Sequence, residues 1–445
     1  MHEQLAEIIP TAMTGRLVRS IGTAAAVTGF RAPLGATVEI ERTGGPPVTA
    51  EVIGFRDDLT LVAPLGDLQG VHHGSTVRLR QTRNWLRVGR GLLGRVVNAH
   101  GMPIDGRAAP ALTDRVPLDG QAPGAVTRPR ISRPLQTGVR AIDALLTCGQ
   151  GQRMGIFAGA GVGKSVLLGM MARNSTADVN VIALIGERGR EVNEFIERDL
   201  QAAGLARSVV VVATSDEPAP LRTRAAHVAT AIAEHFRDTG AQVLLLVDSL
   251  TRFALAQREI GLAAGEPPAT RGYPPSVFAA LPKLVERAGL SPQGGITAFY
   301  SVLVEADDPN EPISDTLRGL LDGHTWLSRK LASRGQFPAV DVLASLSRLM
   351  SEITTAEHRQ AAQFVRELLA AYRDHEDLIS IGAYRRGSNR TVDAAIDMLE
   401  PIQHFLRQAV DDPCTADESR EALIALWRAA LERAQATGKD SQARQ

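Results

Sequence analysis

RMGIFAGAGVGKS, residues Arg153–Ser165, is the stretch on which the fold turns. MGIF is an apolar run of strand length. The glycines that follow alternate with small residues, and KSVLLGMMAR after them has helical spacing. A glycine-rich turn between a strand and a helix is the context of a phosphate-binding loop. Gly159, Gly161 and Gly163 let the backbone curl round phosphate oxygens. Ala160 and Val162 complete the curl, and the N–H groups up to Ser165 and Val166 open the helix whose positive end faces the anion. Lys164 is placed to reach β- and γ-phosphates, and the Ser165 hydroxyl to ligate Mg²⁺. The strict pattern wants glycine at Ala158, which opens the loop and need not touch phosphate.

Outward from this loop, strands alternate with helices. Met154–Phe157, Val181–Ile185, Val209–Ala213, Val243–Val247 and Ile296–Val304 read as strands. Lys164–Arg173, Glu191–Ala203 and Thr223–Arg237 read as helices between them. That alternation predicts a parallel sheet covered by helices. Residues 16–88 instead form short Val/Ile/Leu runs punctuated by Gly and Pro, the pattern of a small barrel or sandwich. A strand and a glycine turn lie in Gly91–Gly106, and a Pro-rich extended connector runs over Pro110–Pro134. After Met350 strand signals stop, and apolar residues recur at helical spacing around Phe364–Tyr372 and Leu423–Leu431, with a frayed tail expected after Thr437. The expected division is 1–88, a β-barrel with a short arm; 89–350, the α/β part; and 351–445, a helical part.

Four further positions could serve a site. VLLLVDSL places Asp248 at the end of an apolar strand, where a carboxylate beside the loop holds Mg²⁺ through water; many strands also end in Asp as a turn residue. In IGERGRE, Glu187 follows a strand and can orient an attacking water, or it can be a surface carboxylate paired with Arg188 or Arg190. Arg348 ends QFPAVDVLASLSRLM; it is a candidate arginine finger for a neighbour's γ-phosphate, although an ordinary ion pair is the first reading of any one arginine. Phe337 could be core or an adenine platform, and from the residues alone core comes first.

Composition narrows the function. The 445 residues are 44% hydrophobic and 22% charged, with Lys+Arg 49 against Asp+Glu 49 and 4% aromatics. At roughly 150 residues per domain that suits about three globular domains. Zero net charge and few aromatics argue against a nucleic-acid binder. Two distant cysteines, Cys148 and Cys414, argue against disulfides or structural zinc and fit a reducing, cytoplasmic setting. MHEQLAEIIP lacks the basic start of a signal peptide, and no apolar run has the length of a membrane span. Only four of the 49 basic residues are lysines, and Lys164 is one of them.

The long strings RPLQTGVRAIDALLTCGQGQRMGIFAGAGVGKS (Arg133–Ser165), IGERGREVNEFIERDL (Ile185–Leu200) and DSLTRFALAQREIGLAAGEPPATRGYPPSVFAALPKLVERAG (Asp248–Gly289), with DPNEPISD (Asp308–Asp315), LDGHTWLSRKLASRG (Leu321–Gly335) and FPAVDVLASLSR (Phe337–Arg348), carry a resemblance that extends over nearly the whole chain. Together they resemble the catalytic ATPase of type III protein export, in its flagellar and injectisome branches, related to the catalytic subunit of rotary ATP synthases. The resemblance implies an N-terminal small β-barrel, a RecA-like P-loop α/β core and a C-terminal helical domain. It implies Mg²⁺-dependent ATP hydrolysis by a homohexamer, peripheral at the inner face of the cytoplasmic membrane. Implied partners are a stator-like regulator, a central stalk, export chaperone–substrate complexes and a membrane export gate, with no nucleic acid. Residue by residue, Glu187 matches the catalytic glutamate, Arg348 the finger that enters the adjacent subunit's site, and Phe337 the adenine-stacking aromatic, usually tyrosine. Arg188 would lie beside the phosphates. The flagellar branch binds its regulator through an N-terminal amphipathic helix; here Leu5, Ile8, Ile9 and Met13 could supply that face, interrupted by Pro10. The flagellar function is the first expectation and the injectisome the alternative. A terminator-type RNA translocase, a rotary synthase subunit and a non-hydrolysing subunit share the core and are the remaining rivals.

Overall fold

The computed structural model describes residues 13–21, 24–304, 308 and 311–442. Leu5, Ile8, Ile9 and Pro10 lie outside them, while Met13 packs against the core of the first element group. That group is a closed barrel. Its strands are β1 (Thr14–Ile21), β2 (Ala24–Thr28), β3 (Thr37–Ile40), β4 (Val48–Arg56), β5 (Leu59–Pro64) and β6 (Thr76–Gln81), in the order β1-β2-β5-β4-β3-β6 with β6 returning to β1. Alternation explains it: in β4, Val48, Ala50 and Val52 are buried while their neighbours are half-exposed. Closure leaves no free sheet edge.

Two short pairs bridge to the main sheet. β7 (Trp85–Val88) pairs with β9 (Asp114–Pro117) from the Pro-rich connector, and β10 (Pro134–Leu135) with β11 (Cys148–Gly149). The main sheet holds nine strands among the described residues. Its strands are β8 (Arg95–Asn98), β12 (Arg153–Ala158), β13 (Val179–Glu187), β14 (Ser208–Thr214), β15 (Gln242–Asp248), β16 (Gly289–Leu290), β17 (Gly295–Leu303), β18 (Gly323–Leu327) and β19 (Leu346–Ser347). The order is β19-β18-β12-β17-β15-β13-β14-β8, with β16 added to β17. All pairings are parallel except β16–β17 and β18–β19.

The near-continuous apolar runs follow from burial on both faces. Val181, Ala183 and Ile185 point into one core, with Val243, Leu245, Val247 and the helix Ala219–Asp238. Ile182 and Leu184 point into the other, with Leu244, Leu246 and the helix Lys164–Asn174. This second core continues into the C-terminal helices through Val365, Leu368, Met398 and Leu423.

Three expectations change here. The helix expected over Glu191–Ala203 is in three pieces: Gly189–Glu194, a π-helical turn Phe195–Leu200, and Gln201–Ala206. The helix Lys164–Asn174 packs close on the turn: a methyl on Gly169 would stand 2.5 Å from the Asp199 carbonyl oxygen. The C-terminal region has three long helices, Ala356–Ser380, Arg390–Leu406 and Ala416–Gln442; Pro401 inside the second hid its periodicity. The last helix runs on to Gln442, into the stretch expected to fray. Trp326 stacks on Phe157 with centroids 5.7 Å apart.

A buried ion pair ties these layers together. Arg287 donates to Glu234 at 2.9 and 2.6 Å and to the Leu118 carbonyl at 3.0 Å, with side chains 4% and 10% exposed. Removing one partner strands a buried charge, so Arg287→Ala should cost about 3–5 kcal/mol of stability. A denaturation midpoint unchanged from wild type would refute that.

Candidate active site

Three parallel strands end at one edge of the sheet, and each delivers one group there. After β12 the loop 159–163 turns into the helix that begins at Lys164. Gly163 sits at φ +89°, which an L side chain adopts only with strain. Gly159 and Val162 are buried and Ala160 and Gly161 exposed, so the loop rests on Val162, which joins the core below it. Ser165 and Val166 lie in the first helical turn, Val166 packed on the same core.

β15 ends in Asp248, 3% exposed. Its Oδ1 accepts the Ser301 hydroxyl at 2.6 Å and the ammonium of Lys164. β13 ends in Glu187, whose Oε1 lies 3.8 Å from Lys164 Nζ. A register shift between Ile185 and Glu187, with Gly186 at φ +68°, sets the direction of that carboxylate. Bulges next to sites re-aim side chains in this way. A Cβ at Gly186 would also stand 3.1 Å from Arg252 Cδ.

Burial raises the Glu187 carboxyl to about 7; the Asp248 charge adds to this, and Lys164 and Arg252 partly offset it. A hydrogen bond with Glu191 favours the neutral form of Glu187 and holds Glu191 below the usual range. The arrangement is one buried cation between two carboxylates, beside the glycine-rich loop. It can accept a polyanion, which competes for Lys164, and it can orient a water near Glu187.

Arg252 was not singled out in the sequence. It stands in the first turn of the helix Leu250–Ala263, capped by Ser249, which accepts its N–H at 3.3 Å. Its position four residues past Asp248 was the available signal: one helical turn after a strand-end carboxylate returns a side chain to the same edge.

Phe337 corrects the core reading. It is 47% exposed, in the bend that follows the helix Arg329–Ser333, and a methyl on Gly163 would stand 3.7 Å from its ring. The ring therefore borders the loop. Arg188 is not brought to the loop: its side chain is 75% exposed and turned to Glu191 at 3.4 Å.

Arg348 lies elsewhere. It follows β19, its N–H donates to the Asp322 carbonyl at 3.0 Å, and Asp322 in turn bonds Arg153 at the start of β12. The loop follows the other end of β12. Five residue steps at about 3.3 Å separate the two ends by roughly 16 Å, beyond the reach of an arginine side chain.

Among the described residues no group of three or more His, Cys, Asp or Glu could hold a metal, and no helix is long and apolar enough to cross a membrane.

Comparison with known proteins shows the family. Residues 138–347 match the ATP synthase alpha/beta family, nucleotide-binding domain. Residues 354–425 match the T3SS EscN ATPase C-terminal domain. The chain is 52% identical to the flagellum-specific ATP synthase of Bacillus subtilis over 93% of this chain and 94% of that protein. It is 52% identical to the type 3 secretion system ATPase of Xanthomonas euvesicatoria over 96% and 97%. Among solved structures, the assembled ATPase EscN of the enteropathogenic E. coli type III secretion system superposes with a TM-score of 0.87 at 44% identity, over 93% of this chain and 99% of that one.

Proposed function

The chain belongs to the type III protein-export ATPases, a branch of the ATP synthase alpha/beta family, and on that premise we propose that it works as an Mg²⁺-dependent homohexamer energising flagellar protein export. The observation that carries the reading is Lys164 held between Asp248 and Glu187 at the mouth of the loop. In this reading the triphosphate draws Lys164 off Asp248 and takes the N–H groups of residues 161–166. The freed Asp248 carboxylate and the Ser165 hydroxyl would hold Mg²⁺, which would supply neutralisation of the phosphate charge when bound. A buried carboxylate already carrying a cation suits that ion. Glu187 orients the attacking water and takes up its proton. Phe337 supplies the face for adenine.

The distance from Arg348 to its own loop supports a finger acting in a neighbour's site, and hence a ring. Solved structures titled as the assembled EscN, and as EscN with its central stalk EscO, support a homohexamer with a stalk partner. By family analogy, Arg188 approaches the phosphates only once nucleotide is bound. A stator-like regulator, chaperone–substrate complexes and a membrane export gate complete the proposed partners, at the cytoplasmic face of the membrane. In this proposal the barrel domain ends at residue 88 and the helical domain begins after residue 350.

A second reading is export of virulence effectors by an injectisome. It is favoured by the equal identity to the Xanthomonas relative and by the EscN-type C-terminal match. Complementation of a flagellar and of an injectisome ATPase deletion separates the two.

The first test is steady-state hydrolysis of Mg-ATP across protein concentrations, with and without RNA. Specific activity should climb with concentration and ignore RNA, because the site is completed between subunits. Activity independent of concentration would remove the ring, and stimulation by RNA would favour a translocase.

A further inference from the structure

The turn between the second and third C-terminal helices reaches back to the loop that carries Phe337. Gln408 sits in it, 6% exposed, two residues past the helix Arg390–Leu406. Its side-chain oxygen accepts the Arg140 N–H at 2.8 Å. Its Nε2 donates to the carbonyls of Gly138 at 2.9 Å and Asp412 at 2.8 Å. Those bonds fix the turn, and there the backbone N–H of Gln408 donates to the Phe337 carbonyl at 3.0 Å.

Core side chains hold the same turn from two more sides. The Arg140 guanidinium donates to the Arg407 carbonyl at 3.1 Å. Arg173, in the last turn of the helix that opens with Lys164, donates to the Val410 carbonyl at 2.8 Å. The string TGVRAID (Thr137–Asp143), which the chemistry of the site leaves unused, is thus one wall of a joint. A buried amide with its oxygen and nitrogen both engaged specifies one geometry, and losing it leaves stranded partners.

We infer that Gln408 is a positioning residue for the nucleotide: it anchors the Phe337 backbone from the helical region and so keeps the ring beside Gly163. This rests on the proposed role of Phe337 as the base platform. The C-terminal helices then act on base binding through one amide, without touching the phosphates.

The test uses the full-length protein and Gln408→Leu, which keeps volume and removes the three side-chain bonds. The KM for ATP should rise about tenfold, within the range that one base–aromatic stack is worth. Inhibition by Mg-tripolyphosphate, which has no base, should stay as in wild type. In a Phe337→Ala background the same substitution should add nothing. An unchanged KM, an equal weakening of tripolyphosphate, or full additivity with Phe337→Ala would each overturn the inference, the last two by showing a general structural role. A wild-type protein that does not hydrolyse Mg-ATP would instead remove the proposed function itself.

Discussion

Arg348→Ala is expected to lower turnover by about 10³–10⁵ while leaving Mg-ATP binding close to wild type. The reason is positional. Arg348 is bonded through its backbone to Asp322, beside the first residue of β12, and the phosphate-binding loop follows the last. Its guanidinium cannot reach its own loop, so the proposed finger can act only in a neighbour's site. A mixing experiment tests this without relying on a single inactive variant. Arg348→Ala and Glu187→Gln proteins, each inactive alone, should regain turnover when co-assembled, because some interfaces then join an intact Glu187 to an intact finger. Full turnover by Arg348→Ala, or no recovery in mixtures shown to co-assemble, would sink the assignment.

Glu187→Gln should lower kcat by about 10²–10⁴, the usual worth of a positioned general base. Gln keeps the volume and can still hydrogen-bond a water, but it cannot accept the proton. The pH dependence gives a second readout. Burial, with the Asp248 charge, lifts the Glu187 carboxyl to about 7, and only its ionised form is a base. kcat/KM of the wild type should therefore climb as pH rises through about 7 and level off above it, and this limb should vanish in the Gln variant. Stability runs the other way. A carboxyl raised in the fold contributes stability below its ordinary value of 4.5, and that contribution is lost as pH rises through about 7. Glu187→Gln should thus melt higher than wild type at pH 8, as expected where a site holds an unfavourable charge. A pH profile shared by the two proteins would show that another group carries the acid limb.

The chemistry at the sheet edge was legible because it follows strand ends. An apolar run long enough to be a buried strand tells where its last residue emerges, so Lys164, Glu187 and Asp248 could be placed on one edge before any coordinates. Arg252 escaped because one helix-borne arginine among 45 has no local mark, and only the first turn of its helix brings it to Glu187. Phe337 was misplaced for a related reason. An aromatic in an apolar stretch reads as core, and its exposure depends on a turn whose path is set by Gln408, 71 residues further on. The second C-terminal helix was missed because Pro401 breaks its pattern, although the flanking turns still bury Met398, Ile402 and Phe405.

What the sequence determined by itself was local: strand and helix periods, the glycines that permit the loop, and the residue types at strand ends. Those depend on backbone sterics and on side chains within a few positions of one another. What the tertiary structure alone decided was the order of the parallel strands, the Lys164–Asp248 contact across 84 residues, the placement of Arg348 at the far end of β12, and the joint at Gln408. Each of these pairs groups distant along the chain, and their meeting depends on how two apolar faces of one sheet are covered, which no short stretch of sequence encodes.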